Sequence, residues 1–158
     1  MLSHVDEQAR PTMVDVTGKP VTRRTAVAEA RVRFPADVAA ALRAGGFATA
    51  KGPVFHTAIV AGVMAAKRTH ELIPMCHPLL LTGMDVQLEP DESSSAVEIT
   101  ATVRTTGKTG VEMEALTAVT VAGLTVYDMC KAVDRGMRIE AVRLVSKSGG
   151  ASGDFRNA

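Results

Sequence analysis

Residues 108–133 read KTGVEMEALTAVTVAGLTVYDMCKAV and form a long, largely apolar segment with charged residues toward both ends. Its centre, Ala115–Tyr127, carries no charged residue and little polarity beyond three threonines. A helix that is apolar on every side is buried, either in a protein core or between subunits. The sequence therefore predicts a buried central helix around which the rest of the chain packs.

Charged residues flank this predicted helix at both ends. Glu112 and Glu114 stand at its start, and Asp128 and Lys131 at its end. Ordinary helix electrostatics explain both pairs, because acids are favourable in a first turn and lysine in a last turn. The chemical alternative is that Asp128 and Lys131, three residues apart on one helix face, form an acid–base couple in mostly apolar surroundings. The residues alone leave both interpretations open.

Outward from the helix, alternating apolar and polar residues predict strands at residues 24–34, 84–88 and 97–103, and residues 137–146 are interpreted as a last strand. Two proline-initiated apolar segments predict helices at residues 36–43 and 53–70. The resulting order is the split βαβ pattern. We therefore expect an α+β ferredoxin-like sandwich, with a four-stranded antiparallel sheet and helices on one face. The apolar character of two helices indicates that part of their surface meets another subunit.

The length of 158 residues fits one domain, which we place at residues 13–146. The polar residues 1–12 are expected to be a disordered extension, and the glycine- and serine-rich residues 147–158 a flexible tail. Within this tail, residues 147–150 have the composition of a loop that can surround a phosphate.

The amino-acid composition argues against several classes of function. A net charge of +1 and an aromatic content of 3% argue against a nucleic-acid partner. No signal peptide and no apolar run long enough for a membrane span is apparent. Two isolated cysteines without a CxxC motif are typical of a reducing compartment, so we expect a cytoplasmic protein.

Two further segments contain candidate site residues. His77 follows Cys76 in a loop bounded by prolines, where a histidine serves as acid, base, metal ligand or structural hydrogen-bond partner. Zinc is the weaker hypothesis, because no HxxxH or CxxC spacing accompanies it. Lys51 precedes a proline-started helix, where an ammonium and helix N-terminal amides bind phosphate together. An ordinary solvated lysine is the alternative there, as it is for Lys67.

The two charged ends of the central helix are too far apart for one small ligand. Glu114 and Asp128 are fourteen residues apart, which corresponds to about 21 Å of helix. Either the ligand is as long as a nucleoside triphosphate, or each site takes one helix end from a second subunit. We favour the shared site.

These segments resemble the cyclic pyranopterin monophosphate synthase family, the C protein of molybdenum cofactor biosynthesis. The resemblance rests on MVDVTGKP (13–20), KGPVFHTAIVAGVMAAKRTHELIPMCHPL (51–79), the central segment extended to Met137, and KSGGASGDF (147–155). It covers the chain from about Met13 to Phe155. The most specific motifs are LIPMCHP and the pair MEALTA and YDMCKAV.

The resemblance implies a ferredoxin-like fold assembled as a hexamer of three dimers, with active sites at the dimer interfaces. It implies a lyase whose substrate is (8S)-3',8-cyclo-7,8-dihydroguanosine 5'-triphosphate, supplied by the preceding radical GTP cyclase. The family converts this nucleotide to cyclic pyranopterin monophosphate and releases pyrophosphate. No metal, flavin or nicotinamide motif is present, so we expect catalysis without a cofactor.

The resemblance also implies roles for particular residues. Asp128 matches the active-site acid or base, and Lys131 and Lys51 match the family's catalytic lysines. The positions that match substrate-binding segments are Met75, Cys76, His77, Glu112, Met113, Glu114, Lys67 and His70. Two other classes stay open on the residues themselves: a regulatory ligand-binding module, since many ferredoxin-like domains only bind, and a Cys/His metal-binding protein.

Overall fold

The computed structural model describes residues 4–158. In chain order its elements are β1 (Thr22–Arg33), α1 (Ala36–Ala44), β2 (Ala48–Thr49), β3 (Gly52–Pro53), α2 (Val54–Lys67), α3 (Thr69–Leu72), β4 (Leu81–Asp91), β5 (Ala96–Gly107), α4 (Glu112–Cys130), β6 (Arg138–Ser148) and β7 (Phe155–Arg156). The main sheet has five antiparallel strands in the order β4-β5-β1-β6-β7. The short strands β2 and β3 pair with each other as a separate hairpin.

Strand β1 lies at the centre of the sheet, and small residues line its buried face. Ala26, Ala28 and Ala30 are almost fully buried, and they lie opposite Val103, Ala101 and Ile99 of β5 respectively. This row of methyl groups leaves a shallow surface on the sheet, onto which a helix can pack closely. The apolar core lies between that surface and helices α2 and α4.

Two glycines set the close packing of α4. A Cβ atom at Gly123 would lie 3.3 Å from Cγ2 of Ile139, so α4 rests directly on the sheet. A Cβ atom at Gly62 of α2 would lie 3.1 Å from the carbonyl oxygen of Ala118, so the two helix backbones also approach closely. The close packing of the helical layer therefore requires small residues at its contacts, and a larger side chain there would have little room.

The outward side of this layer is apolar and exposed within one chain. Leu124 of α4 is 55% exposed, and Val60 and Met64 of α2 are 61% and 41% exposed. The predicted central helix is present, but the protomer buries it on the sheet and α2 sides only, and Leu124 remains open. An exposed apolar helix face of this kind is typical of a surface that meets a partner.

The ferredoxin-like α+β prediction is confirmed, with helices on one sheet face. The sheet has five strands instead of the four expected, because residues 155–156 of the tail add β7 beside β6. The hairpin of β2 and β3 was not predicted, since each of its strands has only two residues. The predicted helix at residues 53–70 divides into α2 and the single turn α3, where Arg68 leaves helical geometry.

The structure describes part of the predicted N-terminal extension and all of the predicted tail. Residues 1–3 of the expected extension lie outside the described residues, and within residues 4–12 Val5 forms an isolated bridge with Pro11. The tail contains the end of β6, a turn and β7, and its flexibility stays a prediction. Between residues 4 and 158, no helix has the length and hydropathy of a membrane span.

Candidate functional site

The C-terminal end of α4 carries a cluster of one carboxylate and two ammonium groups. The Oδ1 atom of Asp128 lies 2.7 Å from Nζ of Lys131, and its Oδ2 atom lies 2.8 Å from Nζ of Lys51. Lys51 also donates to the main-chain oxygen of Asp128 at 3.3 Å. All three side chains are about half exposed. We refer to Lys51, Asp128 and Lys131 as the Lys–Asp–Lys cluster.

The β2–β3 hairpin carries Lys51 into this cluster. Gly52 adopts a φ of +108°, which a side chain rarely tolerates, and so permits the tight turn after Lys51. Phe47 closes the base of the hairpin, because its N–H donates to the Leu42 carbonyl and its own carbonyl accepts from the Val54 N–H. The Phe47 ring stacks on Phe55 with centroids 4.6 Å apart. The hairpin is thus fixed to both α1 and α2.

The two lysines hold the pKa of Asp128 down to about 2, chiefly through the hydrogen bond from Lys131 and then that from Lys51. Asp128 is therefore a carboxylate at neutral pH in this arrangement. Its two oxygens orient two proton-bearing ammonium groups toward the same region. The predicted ion pair of Asp128 and Lys131 is present, and the structure adds Lys51 as a second cationic partner.

A second set of candidate residues lines a cavity of about 280 Å³ at the opposite end of α4. Of the predicted substrate-binding residues, those that line this cavity are Met75, Cys76, His77, Glu112, Met113 and Glu114. The loop after α3 brings the first three to the N-terminal turn of α4, which contributes the others. We call this the N-terminal pocket.

Glu114 is the most buried acid of the N-terminal pocket, with 4% of its surface exposed. Burial raises its pKa to about 7, and the nearby charge of Glu112 adds to that effect. Burial also raises the pKa of the Cys76 thiol, and the charge of Glu114 contributes. The pocket therefore contains a carboxyl group that can hold or release a proton near neutral pH, next to a thiol that stays protonated.

Basic residues complete the N-terminal pocket, and most of them were not predicted from the sequence. Lys19, Arg24, Lys108 and Lys147 all line it. Nζ of Lys147 lies 3.0 Å from Oε1 of Glu112, and Nζ of Lys108 donates to the Thr17 carbonyl. Four basic side chains around two acids make the pocket suitable for a polyanion. Their positions along the chain are widely separated, so only the folded sheet brings them together.

Two predicted residues belong to neither set. Lys67 ends α2 and His70 lies in α3, both are exposed, and neither lines the N-terminal pocket. Among residues 4–158, no three His, Cys, Asp or Glu side chains are grouped closely enough to hold a metal ion.

A more apolar cavity of about 350 Å³ adjoins the Lys–Asp–Lys cluster. Lys51 is its one charged lining residue, and Leu42, Met129 and Val133 supply apolar surface. This side of the molecule therefore has a mostly uncharged surface beside the Lys–Asp–Lys cluster, whereas the N-terminal pocket is lined by several basic side chains.

The two sets of site residues lie at opposite ends of α4. The chain is helical from Glu114 to Asp128, fourteen positions further on, which separates the two residues by about 21 Å. In one chain the Lys–Asp–Lys cluster and the N-terminal pocket are therefore separate surfaces.

The fold and these two sets of residues define a ferredoxin-like α+β protein with ionisable groups arranged for acid–base chemistry on an anionic ligand. The sequence profile of the MoaC family matches residues 13–150, and the chain belongs to this family.

Two curated relatives are similar along nearly their whole length. The chain is 61% identical over 154 residues to the cyclic pyranopterin monophosphate synthase of Pelotomaculum thermopropionicum, covering 98% of this chain and 89% of the relative. It is 59% identical over 156 residues to the protein of the same name from a Roseiflexus species, covering 99% and 98% respectively. The predicted family is therefore confirmed.

Proposed function

We propose that this chain is a cyclic pyranopterin monophosphate synthase. The observation that carries the proposal is near-complete alignment with two relatives of that name, at 61% and 59% identity. The predicted substrate is the bridged guanosine triphosphate supplied by a preceding radical GTP cyclase, and the products are cyclic pyranopterin monophosphate and pyrophosphate. A new phosphorus–oxygen bond closes the cyclic phosphate as the bond to the departing pyrophosphate breaks, with no net water consumed, so we expect the enzyme to be a phosphorus–oxygen lyase. We expect it to act in the cytoplasm and without a cofactor.

The N-terminal pocket suits the triphosphate. Lys19, Arg24, Lys108 and Lys147 supply positive charge on one side of it. Phosphate oxygens accept charge-assisted hydrogen bonds from such groups, and these are about twice as strong as neutral ones. His77, Glu112 and Glu114 lie at the same pocket and supply hydrogen-bonding groups for the purine part of the ligand. Glu114 can donate a proton because it titrates near neutral pH.

The Lys–Asp–Lys cluster suits the proton transfers. Ring opening and reclosure require protons to be added and removed at several atoms, and side chains within hydrogen-bond reach provide them. Lys51 and Lys131 carry the protons, and the Asp128 carboxylate holds both ammonium groups in place. Charge that develops on phosphate oxygens as pyrophosphate leaves is stabilised by the same ammonium groups.

A complete active site needs both sets of residues, so we propose that two chains share it. A two-fold axis perpendicular to α4 would bring the N-terminal end of one helix beside the C-terminal end of its partner. The exposed apolar residues Val60, Met64 and Leu124 would then be covered. Three such dimers form the expected hexamer, with each site at a dimer interface.

Turnover of the bridged nucleotide tests the function directly. The purified full-length chain is expected to convert it with one pyrophosphate released per cyclic pyranopterin monophosphate formed. Binding without turnover would instead favour a regulatory module, and stoichiometric zinc in a protein that does not turn over the nucleotide would favour the metal-binding alternative. Either result would contradict the proposal.

A further inference from the structure

A glycine-rich turn at residues 149–154 connects β6 to β7 and lies on the start of β1. Its residues Gly149, Gly150 and Gly153 have φ values of +88°, +86° and +70°. The turn is closed by hydrogen bonds from the Gly149 N–H to Asp154 and from the Gly153 N–H to the Gly150 carbonyl. We refer to residues 149–154 as the glycine turn.

The glycine turn packs directly on two consecutive arginines of β1. A Cβ atom at Gly149 would clash with the main-chain oxygen of Arg23. A Cβ atom at Gly150 would clash with Nη1 of Arg24. In contrast, a Cβ atom at Gly153 would have no heavy atom within 4 Å. Gly150 therefore meets a second requirement beyond its backbone conformation, namely the absence of a side chain over the Arg24 guanidinium.

Arg24 is a buried cation, with 8% of its surface exposed. Its Nε and Nη2 atoms donate to the carbonyls of Gly107 and Lys108, each at 3.1 Å. It forms no ion pair with any carboxylate of residues 4–158. A buried charge without a counter-ion is unfavourable, and an anionic ligand would relieve that cost. Since Arg24 lines the N-terminal pocket, the ligand of that pocket is the available anion.

The Gly107 and Lys108 carbonyls bind the Nε–Nη2 edge of the Arg24 guanidinium, and the glycine turn packs against its Nη1 side. If a methyl group occupied the space above Nη1, the guanidinium would have to swing away from Gly107 and Lys108. Its direction relative to the pocket would then change, although its charge would not. We propose that the glycine turn is a positioning element, which fixes the Arg24 guanidinium so that its remaining N–H donors face the phosphate groups of the bound nucleotide.

This inference rests on the proposed function, because it assumes a phosphorylated ligand in the N-terminal pocket. The test compares Gly150→Ala with Gly153→Ala by calorimetric titration of the full-length protein with GTP and with inorganic pyrophosphate. Both substitutions place alanine at a positive φ in the same turn, so they introduce similar backbone strain. Only the Gly150 substitution reaches Arg24.

Gly150→Ala is expected to weaken binding of both ligands about tenfold, as loss of one well-oriented charge-assisted hydrogen bond would. Gly153→Ala is expected to bind like the wild type. With the bridged substrate, Gly150→Ala is expected to raise KM more than it lowers kcat. Arg24→Gln should weaken binding at least as much, and adding Gly150→Ala to it should have no further effect. Equal weakening by both glycine variants, or additive effects with Arg24→Gln, would overturn the inference.

A measurement on the unmodified protein keeps the inference testable if Gly150→Ala does not fold. Nuclear Overhauser contacts are expected between the Gly150 α-protons and the Arg24 guanidinium protons, and their absence would refute the positioning role. A different measurement shows whether the proposed function itself is wrong. In that case the wild-type protein would not convert the bridged nucleotide, even if the Gly150 effect on pyrophosphate binding were observed.

Discussion

Lys51 places its ammonium nitrogen 2.8 Å from Oδ2 of Asp128, although the two residues are 77 positions apart in the chain. Lys51 comes from the tip of a short hairpin and Asp128 from the last turn of the central helix. A contact of this length between separate elements shows that the fold, and not local sequence, assembles the cationic side of the site.

Replacing Asp128 with Asn should lower kcat for conversion of the bridged nucleotide by about 10²-fold, the cost of misplacing catalytic groups by about 1 Å. The amide keeps the shape of the side chain but no longer orients two ammonium groups by charge. Product formation and pyrophosphate release are the measurements. The matched control is Asp85→Asn, an exposed position on β4 whose carboxylate accepts only from Gln87. Unchanged turnover in Asp128→Asn would remove this residue from the mechanism.

A mixture of two impaired variants should recover activity if chains share their sites. Lys51→Gln removes a lysine of the Lys–Asp–Lys cluster, and Arg24→Gln weakens binding in the N-terminal pocket, so activity is measured at substrate concentrations well below the wild-type KM. When equal amounts are unfolded and refolded together, half of the dimers are mixed, and one of the two sites in each is intact. We expect about one quarter of wild-type activity. Activity no higher than that of the separate variants would show that each chain carries a complete site.

Phe47→Leu should reduce catalysis through Lys51. Leucine fills less of the space and cannot stack on Phe55, so the hairpin that presents Lys51 is held less firmly. We expect kcat to fall about tenfold, and the pKa of Asp128, measured by carboxyl carbon NMR, to rise from about 2. Leu88→Ala is the control, because Leu88 is also 9% exposed but lies in β4, away from the hairpin. A similar kcat loss in both variants would indicate general destabilisation instead.

Glu114 should make the stability of the protein depend on pH. Its folded-state pKa, about 7, lies above the ordinary value of 4.5, so the native state binds this proton more tightly than the unfolded state does. The free energy of unfolding should therefore fall as the pH rises from 4.5 to 7 and then level off. Glu114→Gln should remove this fall and stabilise the protein at pH 8 by roughly 1–3 kcal/mol.

The Glu114 measurement is urea unfolding at pH 5 and pH 8, at one fixed protein concentration because oligomers couple stability to concentration. Glu89→Gln, on an exposed part of β4, serves as the control. The same pH dependence in Glu114→Gln and in the wild type would show that Glu114 does not titrate as described.

Gly62→Ala should destabilise the helical layer. The new Cβ would lie 3.1 Å from the carbonyl oxygen of Ala118 and could be accommodated only if α2 and α4 moved apart. The gain in helix propensity is about 1 kcal/mol and typical overpacking losses are about 1–3 kcal/mol, so we expect a net loss of up to about 2 kcal/mol. Thermal unfolding measures it, with Gly18→Ala as control because a Cβ there meets nothing. A stabilised Gly62→Ala would mean that the helices adjust freely.

The fold could be predicted from the sequence because its main elements are locally encoded. Alternation along β1, β4 and β5 marks strands with one buried face, and the uncharged centre of α4 marks a buried helix. The hairpin of β2 and β3 and the edge strand β7 escaped prediction. Each strand has two residues, too few for periodicity, and each depends on a neighbour for its hydrogen bonds.

The order of the main elements, the central helix and the family could be predicted from the chain alone, because spacing and motifs are properties of consecutive residues. The charged groups at both ends of one helix could be predicted in the same way. The contact of Lys51 with Asp128, and the meeting of Arg24, Lys108 and Lys147 in one pocket, are visible only in the folded protein. The structure also shows Lys67 and His70 to lie away from that pocket. Sheet register and helix packing set these distances, and they depend on contacts between segments that no local pattern records.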